Sequence, residues 1–359
     1  MNSKIKIFFT LMILSMILLA CSDTNKQSVK VSNGNKTEEN NENTEYGNKD
    51  LIPIRIGTQP SLQIREYVAR EEGLFEEAGL DPEFINFNTG VAMYPAFTKN
   101  EIDVAYYGWT GTIVGPAQDV DIKTFAVEVD VSDNEGLVVR EGSGIEKLED
   151  IKGKKIGITQ GTSGHYGFLQ GLKSVNLTPD DVEIINIDPP QMTPAFEKGE
   201  IDGIWVWDPW MRKLMGSGGE LIATDGDVGA TGHGDWVVSA SYLEENQEAV
   251  QRLLKALEKA NDIVLENPEI AAESMSKALE ITNEQAIDII NDAEIPNAEE
   301  QFDESYHLSM NPKTVEKGEG IAESWEETSD FLLNQGIITS KPNYKNHIIS
   351  NSLEKVLEN

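Results

Sequence analysis

From Ile52 onward the chain alternates two rhythms, short apolar runs of four to six residues and longer stretches whose apolar positions recur every three or four. Short runs of this kind read as buried strands and the longer stretches as amphipathic helices. The pattern predicts strands near 53–57, 82–87, 103–108 and 122–129, with helices near 61–72, 91–99 and 110–118. A strand over Glu135–Arg140 follows. The same order then returns, with strands near 155–159, 182–187, 203–207 and 220–224 and helices near 163–175, 190–199 and 209–216. Strands alternating with helices argue an α/β protein with mostly parallel sheets flanked by helices.

The return is literal in places. Pro95-Ala96-Phe97-Thr98-Lys99-Asn100-Glu101-Ile102-Asp103 reappears as Pro194-Ala195-Phe196-Glu197-Lys198-Gly199-Glu200-Ile201-Asp202, seven of nine positions identical at an offset of 99. Ile54–Gln59 and Lys155–Gln160 are both apolar runs that stop at Thr-Gln. Two copies are too few for a solenoid, which needs about three. Two lobes facing one cleft are the simpler solution. In open α/β sheets ligands sit beyond the carboxyl ends of strands, where helix N-termini present free N–H groups. The turns after the strands are therefore the candidate functional surface.

Leu137–Arg140 leaves the first lobe and Trp236–Ser239 returns to it, so these two strands are the candidate hinges. The boundaries that follow are 51–138 plus 238–359 for lobe one and 139–237 for lobe two. Residues 242–266 predict one long amphipathic helix. Pro268, Pro296 and Pro312 punctuate three further helical segments, expected to pack outside lobe one.

Before Ile52 the pattern is different. Lys4 and Lys6 precede an apolar stretch from Ile7 to Ala20, too short for a bilayer span of ~20 residues, which reads as the core of a signal peptide over 1–20. Ser22 to Asp50 is polar, with too little apolar surface to fold, and reads as a tether reaching on the order of 30 Å.

Charge and cysteine narrow the function classes. Sixty-two acidic against 29 basic residues give a formal charge of −33, which disfavours nucleic acid and anionic lipid as partners. The only cysteine is Cys21, so an internal disulfide and a thiolate metal cluster are both ruled out. Four histidines, none paired at a metal-ligand spacing, give no metal site. No local catalytic or dinucleotide motif occurs, so no cofactor is expected and a binding protein is favoured over an enzyme.

Candidate chemistry lies at the strand ends. Gly161-Thr162-Ser163-Gly164-His165-Tyr166 opens a helix after a strand, so its hydroxyls and N–H groups suit an anion. Pro60-Ser61 and Thr110-Gly111-Thr112 hold matching places in lobe one. Each is also an ordinary capping sequence. Tyr106, Tyr107, Trp109, Trp205, Trp207 and Trp210 cluster at two strand ends, as core packing or as walls for a small ligand, two or three of them touching it. Asp208 follows directly, either at the cleft or capping the helix begun by Pro209.

Three phrases carry a resemblance. They are Glu72-Gly73-Leu74-Phe75-Glu76-Glu77-Ala78-Gly79-Leu80, Ser143–Ile156 and Gly199-Glu200-Ile201-Asp202-Gly203. Residues 52–265 resemble the solute-binding proteins of ABC importers for taurine, aliphatic sulfonates and nitrate, a group related to thiamine-pyrimidine-precursor binders. His165-Tyr166, Asp188-Pro189-Pro190-Gln191 and the aromatic strand before Asp208 look most like taurine binders. Leu18-Leu19-Ala20-Cys21 resembles a bacterial lipobox, which implies that Cys21 becomes a lipidated first residue on the outer face of the cell membrane.

The resemblance implies a two-lobed periplasmic-binding-protein-like fold of type II, a small sulfonate such as taurine as ligand, and an ABC permease with its ATPase as partners. It implies that turn hydroxyls hold the sulfonate and that an acid near the aromatic strand, Asp208, takes the ammonium. The residues assigned to ligand are Gln59, Ser61, Tyr107, Trp109, Thr110, Thr162, Ser163, His165, Tyr166, Trp207 and Asp208. Non-amino sulfonates, nitrate, a thiamine-type pyrimidine or a betaine are the alternative ligands. An extracellular enzyme on the same fold is the alternative class.

Overall fold

A computed structural model describes residues 51–230 and 232–358. The signal-peptide core, Cys21 and the tether lie outside the described residues. All described residues fall in one compact unit.

The strands are β1 Ile52–Thr58, β2 Leu80–Asn86, β3 Val104–Gly108, β4 Ile122–Asp130 and β5 Glu135–Arg140. After them come β6 Lys155–Ile158, β7 Glu183–Asn186, β8 Gly203–Trp207, β9 Gly219–Thr224 and β10 His233–Ser239. They form two five-stranded sheets, ordered β2-β1-β3-β10-β4 and β7-β6-β8-β5-β9. Each sheet is parallel over its first three strands and receives one antiparallel strand, β10 or β5, between its third and fourth. The duplicated unit read from the sequence is thus β1 to β4 and β6 to β9, and each lobe takes its odd strand from the chain as it crosses.

That register moves the lobe boundaries. β5 pairs along its length with β8 and β9, and β10 with β3 and β4, so neither strand is divided between lobes. The boundaries expected at 138/139 and 237/238 fall instead in two crossovers, residues 131–134 and 225–232. Each strand pairs on both sides within one sheet, with register shifts at Leu137/Val138 in β5 and at Gly234/Asp235 and Trp236/Val237 in β10, so the segments outside the ladders are the connections. The crossovers are also bonded to one another, Val131 N–H to Gly232 O at 3.1 Å and Gly226 N–H to Ser132 O at 2.9 Å.

Around the first sheet lie α1 Ile64–Glu71, α2 Leu74–Glu77, α3 Tyr94–Thr98 and α4 Trp109–Ala117. Around the second lie α5 Ser163–Ser174, α6 Pro189–Glu197 and α7 Trp210–Gly216. α6 starts on Pro189, whose fixed φ suits a first helical position. α5 lies flat on Trp205 because a Cβ at Gly167 or Gly171 would come within 2.7 Å of the indole.

After β10 come α8 Ala240–Glu245, α9 Gln247–Glu266, α10 Pro268–Leu279 and α11 Asn283–Asn291, then α12 Ala298–Phe302, α13 Pro312–Lys317, α14 Ile321–Asn334 and α15 Asn351–Leu357. The single helix expected over 242–266 is two, because Asn246 leaves helical geometry at φ −132° and its side chain binds Tyr242 O at 3.1 Å. α9 and α10 pack on α1, and α15 on α9, extending the large core of lobe one. Some of these late elements also reach lobe two. Phe331 meets the Tyr166 ring edge-on at 4.9 Å, Asp292 pairs with Arg212, and Gln285 Nε2 donates to Arg212 O at 3.2 Å. Lobe two has two smaller cores, one on each face of its sheet. Among the described residues no helix is long and apolar enough to cross a membrane.

Candidate functional site

The carboxyl ends of β1, β3, β6 and β8 face one another across a cleft enclosing about 30 Å³ of free volume. That is room for about two waters. From lobe one it is lined by Gln59, Ser61 and Leu62 after β1, Gly90 and Val91 after β2, and Tyr106 to Gly108, Thr110 and Gly111 at the junction of β3 and α4. Val131 and Glu135 line it at the first crossover. Gly161, Thr162 and Ser163 at the start of α5, and Trp207 at the end of β8, complete it from lobe two.

The lobes touch here. Trp207 Nε1–H donates to Pro60 O across the cleft at 3.2 Å. Gly108 lies so near Ser163 that a Cβ would stand 3.0 Å from its hydroxyl oxygen.

On the lobe-one side two hydroxyls and one amide oxygen are unengaged. Tyr107 is stacked on Tyr94 at 5.5 Å and 7°, which fixes its ring, and its hydroxyl is buried without a partner. The Thr110 hydroxyl, in the first turn of α4, is likewise buried and unpartnered, as is Gln59 Oε1. Tyr67 holds the 59–61 turn, donating to Gln59 O at 3.0 Å and accepting from Ser61 N–H at 3.3 Å. Burial drives the phenols of Tyr106 and Tyr107 far above their ordinary pKa, so both are neutral donors. An anion placed among these groups meets two hydroxyls and the N-terminal N–H groups of α4, with no basic side chain in the lining.

On the lobe-two side the equivalent helix start is already occupied. Glu135 Oε1 accepts from Ser163 Oγ–H at 3.0 Å and lies against the first turn of α5, 2.9 Å from where a Cβ on Gly164 would sit. Thr162 donates its hydroxyl to Thr159 O at 2.7 Å. Burial pushes the Glu135 carboxyl up to about 8, opposed by the Ser163 bond and reinforced by Asp208. Behind it Asp225 is driven up by burial and by Glu135 itself. Asp225 Oδ1 accepts from Trp205 Nε1–H at 2.8 Å, and its other oxygen is buried without a partner.

Of the residues assigned from sequence, Gln59, Ser61, Tyr107, Thr110, Thr162, Ser163 and Trp207 come together in the cleft lining. The structure places four elsewhere. Trp109 is buried beside Tyr166 and His233, its ring centroid 5.5 Å and 6.3 Å from theirs. Tyr166 turns toward α14, with its hydroxyl accepting from Gln170 at 2.9 Å. His165 accepts from Gly161 N–H at 3.3 Å, and burial lowers it to about 4, so it is neutral.

Asp208 is fully buried away from the lining. It accepts from Arg212 N–H at 3.0 Å and from Arg212 Nε at 3.3 Å, with Asn134 Nδ2 at 3.5 Å. Burial raises its carboxyl to about 6 against the opposing pull of Arg212. It serves α7 and the first crossover. Glu135 was not read as a site residue. The signal available was an acid opening the apolar run Gly136-Leu137-Val138-Val139.

A two-lobed α/β clamp whose strand-end turns converge on a small polar cleft is the periplasmic-binding-protein-like fold. The chain belongs to the NMT1/THI5-like family, whose sequence profile matches residues 63–271. It is 27% identical over 315 residues to a putative aliphatic sulfonates-binding protein of Bacillus subtilis, covering 86% of this chain and 90% of that one. It is 25% identical over 305 residues to the taurine-binding periplasmic protein of Escherichia coli, covering 83% and 92%. Its fold matches the alkanesulfonate-binding protein SsuA of Xanthomonas axonopodis pv. citri, solved bound to MOPS, at a TM-score of 0.71 and 20% identity, over 84% of this chain and 99% of that one.

Proposed function

We propose that this protein is the solute receptor of an ABC importer, held at the outer face of the cell membrane through Cys21, and that it delivers taurine or a closely similar amino sulfonate to its permease. The observation that carries the ligand reading is the asymmetry of the cleft. Unengaged hydroxyls and a helix N-terminus face it from lobe one, and a single carboxyl, Glu135, faces it from lobe two. A sulfonate fits the first end and an ammonium the second. Glu135 takes the role assigned to Asp208 in the sequence reading, because the oxygens of Asp208 are engaged by Arg212. The sulfonate-binding relatives support this reading. Retention at the membrane is tested by Cys21→Ser, which should release the protein or leave it unprocessed; a matured, membrane-bound variant sinks the anchor.

A second reading, a plain aliphatic sulfonate, is favoured by the upward shift of Glu135, since a protonated carboxyl sets no unpaired charge against an apolar chain end. Calorimetry with taurine and ethanesulfonate separates the two. A charge-assisted bond contributes about 1.5–3 kcal/mol, roughly ten- to a hundredfold in affinity. Taurine should bind tighter by about that factor, and Glu135→Gln should remove the difference. Equal affinities in the native protein transfer the assignment to plain sulfonates.

A further inference from the structure

Lobe two carries three fully buried carboxyls near its crossovers, Glu135, Asp208 and Asp225. The guanidinium that meets any of them is Arg212, and it lies on Asp208 and Asp292. Glu135 and Asp225 are tied to one another through the backbone, Asp225 N–H donating to Glu135 O at 2.9 Å. What faces Glu135 is Ser163 from α5, Trp207 and Asp208 from the end of β8, Asp225 from the turn after β9 and the Tyr106 phenol from β3. None of these is a cation. Two unpaired buried carboxylates are costly, and such groups bind protons instead.

Resting on the amino-sulfonate reading, we propose that the ammonium of the ligand enters the cleft in exchange for a proton held by the Glu135–Asp225 pair. A zwitterion meeting a protonated Glu135 then yields an ammonium–carboxylate pair and one proton released to solvent, so charge and atoms balance. A sulfonate without an amine leaves that proton in place. The upward shifts of both carboxyls agree with this order of events. Affinity for the amino sulfonate therefore rises with pH, by up to about tenfold per unit below pH 8, while that of the plain sulfonate stays flat.

The test is calorimetry at pH 7 in phosphate and in Tris, neither of them a sulfonate and each with its own ionisation enthalpy. Taurine should release between about half a proton and one proton per site. Ethanesulfonate should release none. Taurine heats that are the same in both buffers overturn the exchange and leave the amino-sulfonate reading standing. No binding of taurine overturns both. Glu135→Gln should abolish the release, and a variant that still releases a proton overturns the assignment to Glu135. Should that variant fail to fold, infrared difference spectra of the native protein take its place. Taurine should bleach a protonated-carboxyl band, and an unchanged band overturns the proposal.

Discussion

Glu135 shows how a carboxyl can oppose the stability of the fold that holds it. Its folded-state pKa is raised by burial to about 8, against an ordinary value near 4.3 for an unfolded chain. A group shifted upward supports the fold fully below its unfolded value, and that support is lost as pH rises through the folded one. Glu135→Gln is therefore expected to gain on the native protein as pH increases. Melting followed at pH 5 and pH 8.5 without ligand should show the difference moving in the variant's favour by roughly a few degrees. A pH-independent difference would show that the carboxyl titrates normally.

Residue choice was partly legible in the sequence. Tyr107 lies at the carboxyl end of β3, and Ser61, Thr110, Thr162 and Ser163 lie in the turns and helix starts beyond their strands, so position alone sends them toward the cleft. Within three residues of them the helical turn carries Trp109, His165 and Tyr166 off it, a rotation that the turn sequence does not reveal. Glu135 depends on how α5 lies over β5, which is a matter of packing between distant segments.

At the scale of elements, the duplicated units were legible because strand periodicity and the repeated phrase agree. The crossing strands were less so: apolar runs such as Leu137–Val139 and Trp236–Val238 do not say which sheet they join. α7 is held at its start by Asp208, which also meets Asn134 in the first crossover. Asp208→Asn is accordingly expected to cost about 1–3 kcal/mol of stability while leaving the ratio of taurine to ethanesulfonate affinity unchanged. Thermal melts and calorimetry on the same variant check both halves. Collapse of that ratio would restore Asp208 to the ligand. The late helices do more than cover lobe one, since Asp292, Gln285 and Phe331 each touch lobe two.

The whole molecule is drawn closed, with Trp207 bonded across to Pro60 and little free volume between the lobes. A solute larger than a pair of waters enters only if the lobes part, and the two crossovers, which lie outside the strand ladders, are where the backbone can turn. Small-angle scattering should give a smaller radius of gyration with saturating taurine than without. An unchanged radius, with binding confirmed, would mean a preformed site.

The duplication has a last consequence. Two halves built on one plan face each other, yet only one of them presents an acid, so the cleft has a head and a tail. On the amino-sulfonate reading a solute is threaded in a single direction, and its two ends are judged separately. On that reading symmetric molecules fail whatever their length: a disulfonate puts one anion against Glu135, and a diamine leaves one cation against the N-terminus of α4, whose dipole repels it.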